Sequence, residues 1–140
     1  MNLEAKLKYT GKFKFEGDNN RGHKTLFATS NVPGGDENAA TPMEIMLQAA
    51  AACSGMDVAT ILEKKKKTIE SLEITASGVK REEFPKIFTK VHLHFILKSP
   101  DANSQDLERS IELSQEKYCA ASATLGLAGA EVTWTSELIS

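Results

Sequence analysis

Two cysteines are the side chains in this 140-residue sequence with the clearest capacity for covalent chemistry. Cys53 follows four consecutive alanines inside an apolar run, and Cys119 follows Tyr118 among small residues. Two thiols cannot form a framework of disulfides, so each is structural, redox-active or metal-binding. A buried thiol on a helix is commonly inert, whereas two thiols that meet in space could form one disulfide. The residues alone leave these alternatives open.

The three histidines give only a weak signal for a metal centre. His92 and His94 have a spacing that can hold a metal ion, but the strand pattern turns them away from the apolar side and predicts surface residues. A zinc site made of Cys53, Cys119 and His23 would require three elements to converge without a local CxxC motif. The sequence also has no Gly-rich phosphate loop. We therefore expect no metal and no other cofactor.

Composition narrows the class of protein. The formal net charge is −2 and the isoelectric point is about 5.9, so no basic surface for nucleic acid is expected. The length suits a single domain over residues 1–140. The first residues alternate as a strand and do not resemble a signal peptide, and the central apolar run is shorter than the ~20 residues of a membrane span. These features predict a cytoplasmic protein with no membrane partner.

A long helix over residues 41–67 is the best specified element. Thr41 is a good N-cap, Pro42 suits the first helical position, and Glu44 completes a Thr-x-x-Glu capping box. The turns that follow are apolar on nearly the whole circumference, which predicts burial on most sides. A run of lysines at the end suits the negative pole of the helix dipole. The helix is long for a small domain, so a partner subunit could help to cover it.

Alternation of apolar and polar residues predicts the strands before this helix. Residues 3–16 alternate throughout and predict one long, half-buried strand. Residues 17–22 supply turn chemistry, and residues 23–30 predict a second strand that closes a hairpin with the first. The Pro- and Gly-containing residues 31–40 predict a loop that leads into the helix.

Three more strands, a second helix and a short helix or tight turn are predicted beyond the long helix. The strands cover residues 71–78, 87–98 and 130–138, the second helix covers residues 107–118, and the short helix or tight turn covers residues 120–127. The order is therefore β-β-α-β-β-α-α-β. It predicts an α+β fold in which helices pack against an antiparallel sheet.

Three short segments together resemble the OsmC/Ohr superfamily, the osmotically inducible and organic-hydroperoxide-resistance proteins. These segments are Thr41-Pro42-Met43-Glu44, Ala49-Ala50-Ala51-Ala52-Cys53 and Glu116-Lys117-Tyr118-Cys119. The similarity covers the whole chain in its element order and includes Gly22-His23 before the second strand. It implies an OsmC-like α+β fold and an intertwined homodimer, with long helices packed centrally and two equivalent sites at the interface.

The resemblance also implies thiol-dependent reduction of organic hydroperoxides in oxidative or osmotic stress. Cys53 would be the peroxidatic thiolate that becomes a sulfenic acid. Cys119 would be the resolving thiol that condenses with it to a disulfide, which an external dithiol then reduces. Met46, Met56 and Phe27 would form a pocket for the alkyl part of the substrate, although all three are explained equally well as core residues.

Glu44 and Arg21 enter as candidate catalytic partners of Cys53. In the best-characterised peroxidases of the superfamily a Glu directly follows the helix-start proline and partners an activating Arg. Here Met43 holds that position and Glu44 follows it, while Arg21 is the only arginine in the first hairpin region. The capping box alone also explains Glu44, and an arginine in a turn is more often merely solvated.

A different class of function is also open at this point. The chain could be a non-catalytic OsmC-like dimer that binds a small apolar ligand at its interface, with Cys53 and Cys119 as packed structural thiols. The two hypotheses differ in whether the thiols of the native protein react.

Overall fold

The computed structural model describes residues 2–29 and 31–140. The chain divides into two compact units, Met1–Met46 and Leu47–Ser140, and the boundary falls inside the first helix. Strands and helices occur in separate groups along the chain, so the predicted α+β class is confirmed. The single domain expected over residues 1–140 stays a prediction.

The first unit contains a three-stranded antiparallel sheet in the order β1-β2-β3. Its strands are β1 (Lys6–Gly11), β2 (Lys14–Asp18) and β3 (Lys24–Phe27). The chain therefore has three strands before its first helix, and the single strand predicted over residues 3–16 was wrong. Lys12 and Phe13 adopt positive φ angles of 54° and 59° and make a two-residue turn inside the alternating pattern. The hairpin predicted across residues 17–22 is present as the β2-β3 pair.

Helix α1 (Pro42–Lys64) begins as predicted. The backbone N–H of Thr41 donates to the Glu44 carboxylate at 2.9 Å, and the N–H of Glu44 donates to the Thr41 hydroxyl at 3.2 Å, which confirms the capping box. The helix ends three residues earlier than predicted because Lys66 turns left-handed, with φ at 58°. The N–H of Lys67 then reaches the carbonyl of Leu62 at 3.0 Å and closes the helix end.

Burial of α1 differs from the prediction. Only one stripe, at a spacing of four residues, is buried within the chain: Ala50, Ser54, Val58 and Leu62. The expectation of burial on most sides was therefore wrong for the single chain. Among the described residues α1 is the one helix long and apolar enough to pass a length-and-composition criterion for a membrane span, which core helices of soluble proteins also pass.

The second unit contains a mixed three-stranded sheet in the order β4-β5-β6. Strands β4 (Ser71–Lys80) and β5 (Phe88–Lys98) are antiparallel, but β6 (Glu131–Ile139) runs parallel to β5. The predicted all-antiparallel sheet was therefore wrong. A parallel pair needs a crossover of a dozen or more residues, and residues 99–130 supply it.

The crossover carries the helical segments that follow β5. Helix α2 (Ser104–Leu113) is capped by Asn103 and continues into a π-helical turn, Ser114–Tyr118, which we call the π turn. Helix α3 (Ala120–Leu127) follows after Cys119. The amphipathic helix predicted to reach residue 118 therefore changes type in its last turn, and the short helix predicted over residues 120–127 is confirmed.

The core of the second unit combines the inner face of β5 with α1 and α2. Buried apolar side chains from these elements are Val58, Leu62, Val91, Leu93, Phe95, Leu97, Leu107 and Ile111. On β5 they alternate with half-buried residues, as the strand pattern predicted. This core fixes the inward face of α1 on which the site described below is built.

Close packing at Gly78 of β4 gives a stability prediction. A methyl group there would lie 2.5 Å from a ring carbon of the buried Phe88 and 3.1 Å from Leu47. Gly78→Ala is expected to destabilise the protein by about 1–3 kcal/mol in urea denaturation, because the ring must move. Gly126→Ala in α3 is the control, since its methyl group would meet nothing within 4 Å. That variant should gain up to about 1 kcal/mol, and equal losses at both positions would contradict this packing.

Candidate functional site

Cys53 lies in the middle of α1, one residue before the buried Ser54. Its side chain is only half-buried, and it carries a free thiol. A helix holds its side chains more rigidly than a loop, so the direction of this thiol is set by the packing of α1. Cys53 is therefore both accessible and oriented.

Cys119 lies between the π turn and α3, and its side chain is 2% exposed. Its backbone N–H donates to the carbonyl of Ser114 at 2.7 Å, the bond that closes the π turn. Its sulfur caps α3: it accepts from the N–H of Ser122 at 3.4 Å, and the thiol donates to the Ser122 hydroxyl at 3.3 Å. Both ends of this residue are thus held by hydrogen bonds.

Three influences act on the pKa of the Cys119 thiol. Burial raises the pKa of the Cys119 thiol, the hydrogen bonds from Ser122 oppose that rise, and the hydrogen bond and charge of Cys53 add to it. At neutral pH Cys119 is consequently a neutral thiol, so it adds no second negative charge near Cys53.

A buried polar cluster joins the two segments that carry the cysteines. The hydroxyls of Ser54 and Ser114 are 2.9 Å apart, and Ser114 donates to the Asp57 carboxylate at 2.8 Å. The Gln115 amide donates to Ser54 at 2.7 Å. Ser54 and Asp57 belong to α1, whereas Ser114 and Gln115 belong to the π turn, so this cluster connects the helix of Cys53 to the approach to Cys119.

Glu44 and Arg21 both lie in the first unit. The Glu44 carboxylate is part of the helix cap, and its hydrogen bonds from the backbone N–H and the hydroxyl of Thr41 lower its pKa. Arg21 lies in the turn between β2 and β3, where its backbone N–H donates to the side-chain oxygen of Asn19 at 3.0 Å. Within the described residues no hydrogen bond or ion pair joins Arg21 to Glu44. The structure therefore does not pair Arg21 with Glu44.

Two of the three side chains suggested for an alkyl pocket line hollows, one in each unit. Phe27 lines an apolar hollow of about 200 Å³ in the first unit. Met56 lines a shallow groove of about 400 Å³ in the second unit, together with Ala51, Ala52, Gly55, Ala59, Leu72 and Ile74. Met46 is exposed. The shared pocket stays a prediction.

The histidines do not make a metal centre in the part of the chain that the structure describes, where no group of three or more His, Cys, Asp or Glu residues could hold an ion. His92 and His94 lie on the outer face of β5, where their rings bond the hydroxyls of Thr133 and Thr135 on β6. His23 is exposed in the β2-β3 turn and bonds Asn19. The surface placement predicted for His92 and His94 is consistent with these contacts.

Sequence reasoning missed the serines around the cysteines. Ser54 occupies a position of the buried stripe of α1, and Ser114 occupies the buried first position of the π turn. A polar residue at a position that the helical period assigns to the core is a signal for a buried hydrogen bond. That signal was present in the sequence, but the partners could be identified only from the fold.

Comparison with known proteins extends this description. The chain is 35% identical over 123 residues to Protein YhfA of Escherichia coli (strain K12), which covers 88% of this chain and 89% of that protein. The crystal structure of an OsmC like protein from Mycoplasma pneumoniae superposes with a TM-score of 0.84 at 14% identity, over 100% of this chain and 99% of that one.

A second solved structure carries a functional name. An organic hydroperoxide resistance protein OsmC from Legionella pneumophila superposes with a TM-score of 0.69 at 18% identity, over 98% of this chain and 97% of that one. At these identities the two solved structures establish the shared fold. The family model for OsmC-like protein matches residues 34–135. Since that match covers most of the chain, the protein belongs to the OsmC-like family, as the cysteine-bearing segments predicted.

Proposed function

We propose that the protein is a thiol-dependent peroxidase that reduces organic hydroperoxides, with Cys53 as the peroxidatic residue and Cys119 as the resolving residue. The observation that carries the proposal is the hydrogen-bonded connection, through Ser54 and Ser114, between the helix of a half-buried free thiol and the backbone of a buried one. Membership of the OsmC-like family supports it, because hydroperoxide resistance proteins share this fold.

In the first step the Cys53 thiolate attacks the distal oxygen of the hydroperoxide. The O–O bond breaks, the alkoxide leaves and takes up a proton, and Cys53 becomes a sulfenic acid. The half-exposed position of Cys53 admits the substrate. A neutral Cys119 avoids the repulsion that a second anion would exert on the Cys53 thiolate.

In the second step Cys119 loses its proton and attacks the Cys53 sulfur. The S–S bond forms, the S–O bond breaks and water leaves. The backbone N–H of Ser122, which already donates to the Cys119 sulfur, stabilises the negative charge that develops there. An external dithiol then reduces the disulfide and is itself oxidised. This last step requires a reducing compartment, which supports a cytoplasmic location.

We also propose that two chains form a homodimer. The outer side of α1 is apolar but uncovered in the single chain, and Met56 in the groove beside it is 69% exposed. Apolar surface of this kind marks an interface. The homodimer that the resemblance to the OsmC/Ohr superfamily implies supports a second copy as the partner.

Substitution of the cysteines tests the peroxidase proposal. Cys53→Ser should lower consumption of cumene hydroperoxide with an excess of dithiol to the background rate, because the attacking sulfur is lost. Cys119→Ser should still form one sulfenic acid per subunit, which dimedone labelling and mass spectrometry detect, but no disulfide between these positions.

Hydrogen peroxide serves as the comparison oxidant, and a slower reaction with it supports an organic substrate. A fully active Cys53→Ser protein would contradict the proposal. Thiols that react only after denaturation would favour the alternative of a dimer that binds a small apolar ligand in the groove lined by Met56.

The roles of Glu44 and Arg21 as activating partners can be separated from helix capping. Glu44→Gln keeps a side-chain acceptor for the N–H of Thr41 but removes the charge, so stability should change by less than about 0.5 kcal/mol. If the charge acts on catalysis, the rate of Cys53 oxidation falls about tenfold in Glu44→Gln and in Arg21→Ala. Arg109→Ala is the control, because Arg109 pairs with Glu112 on the surface of α2. Wild-type rates in both variants would show that neither residue activates Cys53 and that Glu44 serves only as a helix cap.

Dimerisation has its own test in sedimentation velocity. The wild-type protein should sediment with twice the 15.3 kDa mass of one chain, and Met56→Lys should shift it toward monomer because a charge enters the apolar groove. Leu127→Lys is matched to it, since Leu127 is 91% exposed at the end of α3 and outside the groove. A monomeric wild-type protein, or equal effects of both substitutions, would count against the interface.

A further inference from the structure

The polar cluster between α1 and the π turn lies where apolar packing would be expected. Ser54 and Ser114 are both 0% exposed, and in the part of the chain that the structure describes every buried side-chain polar atom has a hydrogen-bond partner. Burying polar groups costs free energy that apolar residues would not cost. Hydrogen bonds have direction, however, and apolar contacts do not, so such a cluster fixes relative positions.

The chemistry of the four groups determines the direction of each hydrogen bond. The Gln115 nitrogen can only donate, so the Ser54 oxygen accepts from it. The Asp57 carboxylate can only accept, so the Ser114 hydroxyl donates its hydrogen to this carboxylate. The hydrogen of Ser54 therefore points to Ser114. The result is a hydrogen-bond series in which each residue donates to the next, from Gln115 through Ser54 and Ser114 to Asp57. Both hydroxyl hydrogens have an acceptor.

This hydrogen-bond series is connected to both cysteines, to Cys53 through the sequence and to Cys119 through a backbone hydrogen bond. Ser54 directly follows Cys53 on α1, so it shares the rigid backbone of that helix. Ser114 accepts the backbone N–H of Cys119 at its carbonyl oxygen while its hydroxyl bonds α1. A single residue thus binds the helix of Cys53 with its side chain and Cys119 with its main chain.

We propose that Ser54 and Ser114 are positioning residues that hold Cys119 in reach of Cys53 for the disulfide-forming step. This inference rests on the proposed peroxidase function. A disulfide tolerates only a narrow range of Cα separations and dihedral angles, so small movements of the π turn against α1 change the rate at which the sulfenic acid of Cys53 is resolved. The Cys119 sulfur must approach the Cys53 sulfur from the side opposite the departing oxygen, so that the S–S bond forms as the S–O bond breaks and water leaves.

Single-turnover kinetics separate this role from general stability. After one equivalent of cumene hydroperoxide, the sulfenic acid in Ser54→Ala and in Ser114→Ala should persist about ten times longer than in the wild-type protein. Ser110→Ala is the matched control. Ser110 is also 0% exposed, but its hydroxyl bonds only the carbonyl of Leu107 in its own helix, and its resolution rate should stay within about twofold.

Asp57 supplies the conservative comparison and a second route if a serine variant does not fold. Asp57→Asn keeps an oxygen that accepts from Ser114 and should retain the wild-type resolution rate within about twofold. Asp57→Ala removes the acceptor and should slow resolution about tenfold. Equal rates in Asp57→Ala and Asp57→Asn, or in Ser54→Ala and Ser110→Ala, would overturn the assignment.

Equilibrium with reduced and oxidised glutathione distinguishes failure of this inference from failure of the proposed function, because it needs no hydroperoxide. The equilibrium constant for the disulfide between Cys53 and Cys119 should fall about tenfold in Ser54→Ala and stay unchanged in Ser110→Ala. If hydroperoxide does not oxidise Cys53, the peroxidase proposal fails while a tenfold fall here still supports the positioning role. An unchanged constant in Ser54→Ala overturns it.

Discussion

The hydrogen-bonded contact between α1 and the π turn is the constraint on which the candidate site depends. Of the four buried positions on the inner stripe of α1, Ser54 is the polar one, and its hydroxyl lies 2.9 Å from that of Ser114. The three apolar positions supply packing free energy but would tolerate some sliding and rotation of the helix. The hydrogen bonds of Ser54 do not, because their strength falls steeply with distance and angle. The apolar residues of the stripe therefore hold α1 against the core, and Ser54 fixes how far the helix can slide or rotate there.

The two thiols differ because their elements differ. Cys53 lies beside the buried stripe of α1 and remains accessible, whereas Cys119 is enclosed between the π turn and α3. Enclosure raises the pKa of Cys119 and keeps it protonated, although Ser122 provides donors that favour the thiolate. Burial and hydrogen bonding from Ser122 thus shift the pKa of Cys119 in opposite directions. In the proposed reaction the Ser122 donors would stabilise Cys119 when it loses its proton in the second step.

Local signals in the sequence predicted the elements well, and non-local relations were the source of the errors. The capping box at Thr41 and Glu44 located the start of α1, since both partners lie within one turn. The turn at Lys12 and Phe13 was missed because neither residue is a usual turn former and the alternation continues through it. The parallel pairing of β6 with β5 depends on the path of the whole crossover, which no window of residues encodes. The two cysteines could be identified from the sequence, but the hydrogen bonds that connect their segments could not.

The most direct test of the account is the fate of both thiols in the native wild-type protein after one equivalent of cumene hydroperoxide. Intact-mass and peptide mass spectrometry should show the loss of both thiols, a mass decrease of about two daltons, and a disulfide between Cys53 and Cys119. Two thiols that survive an excess of the oxidant would contradict the account, because the fold would then bring the cysteines together without making them a redox pair.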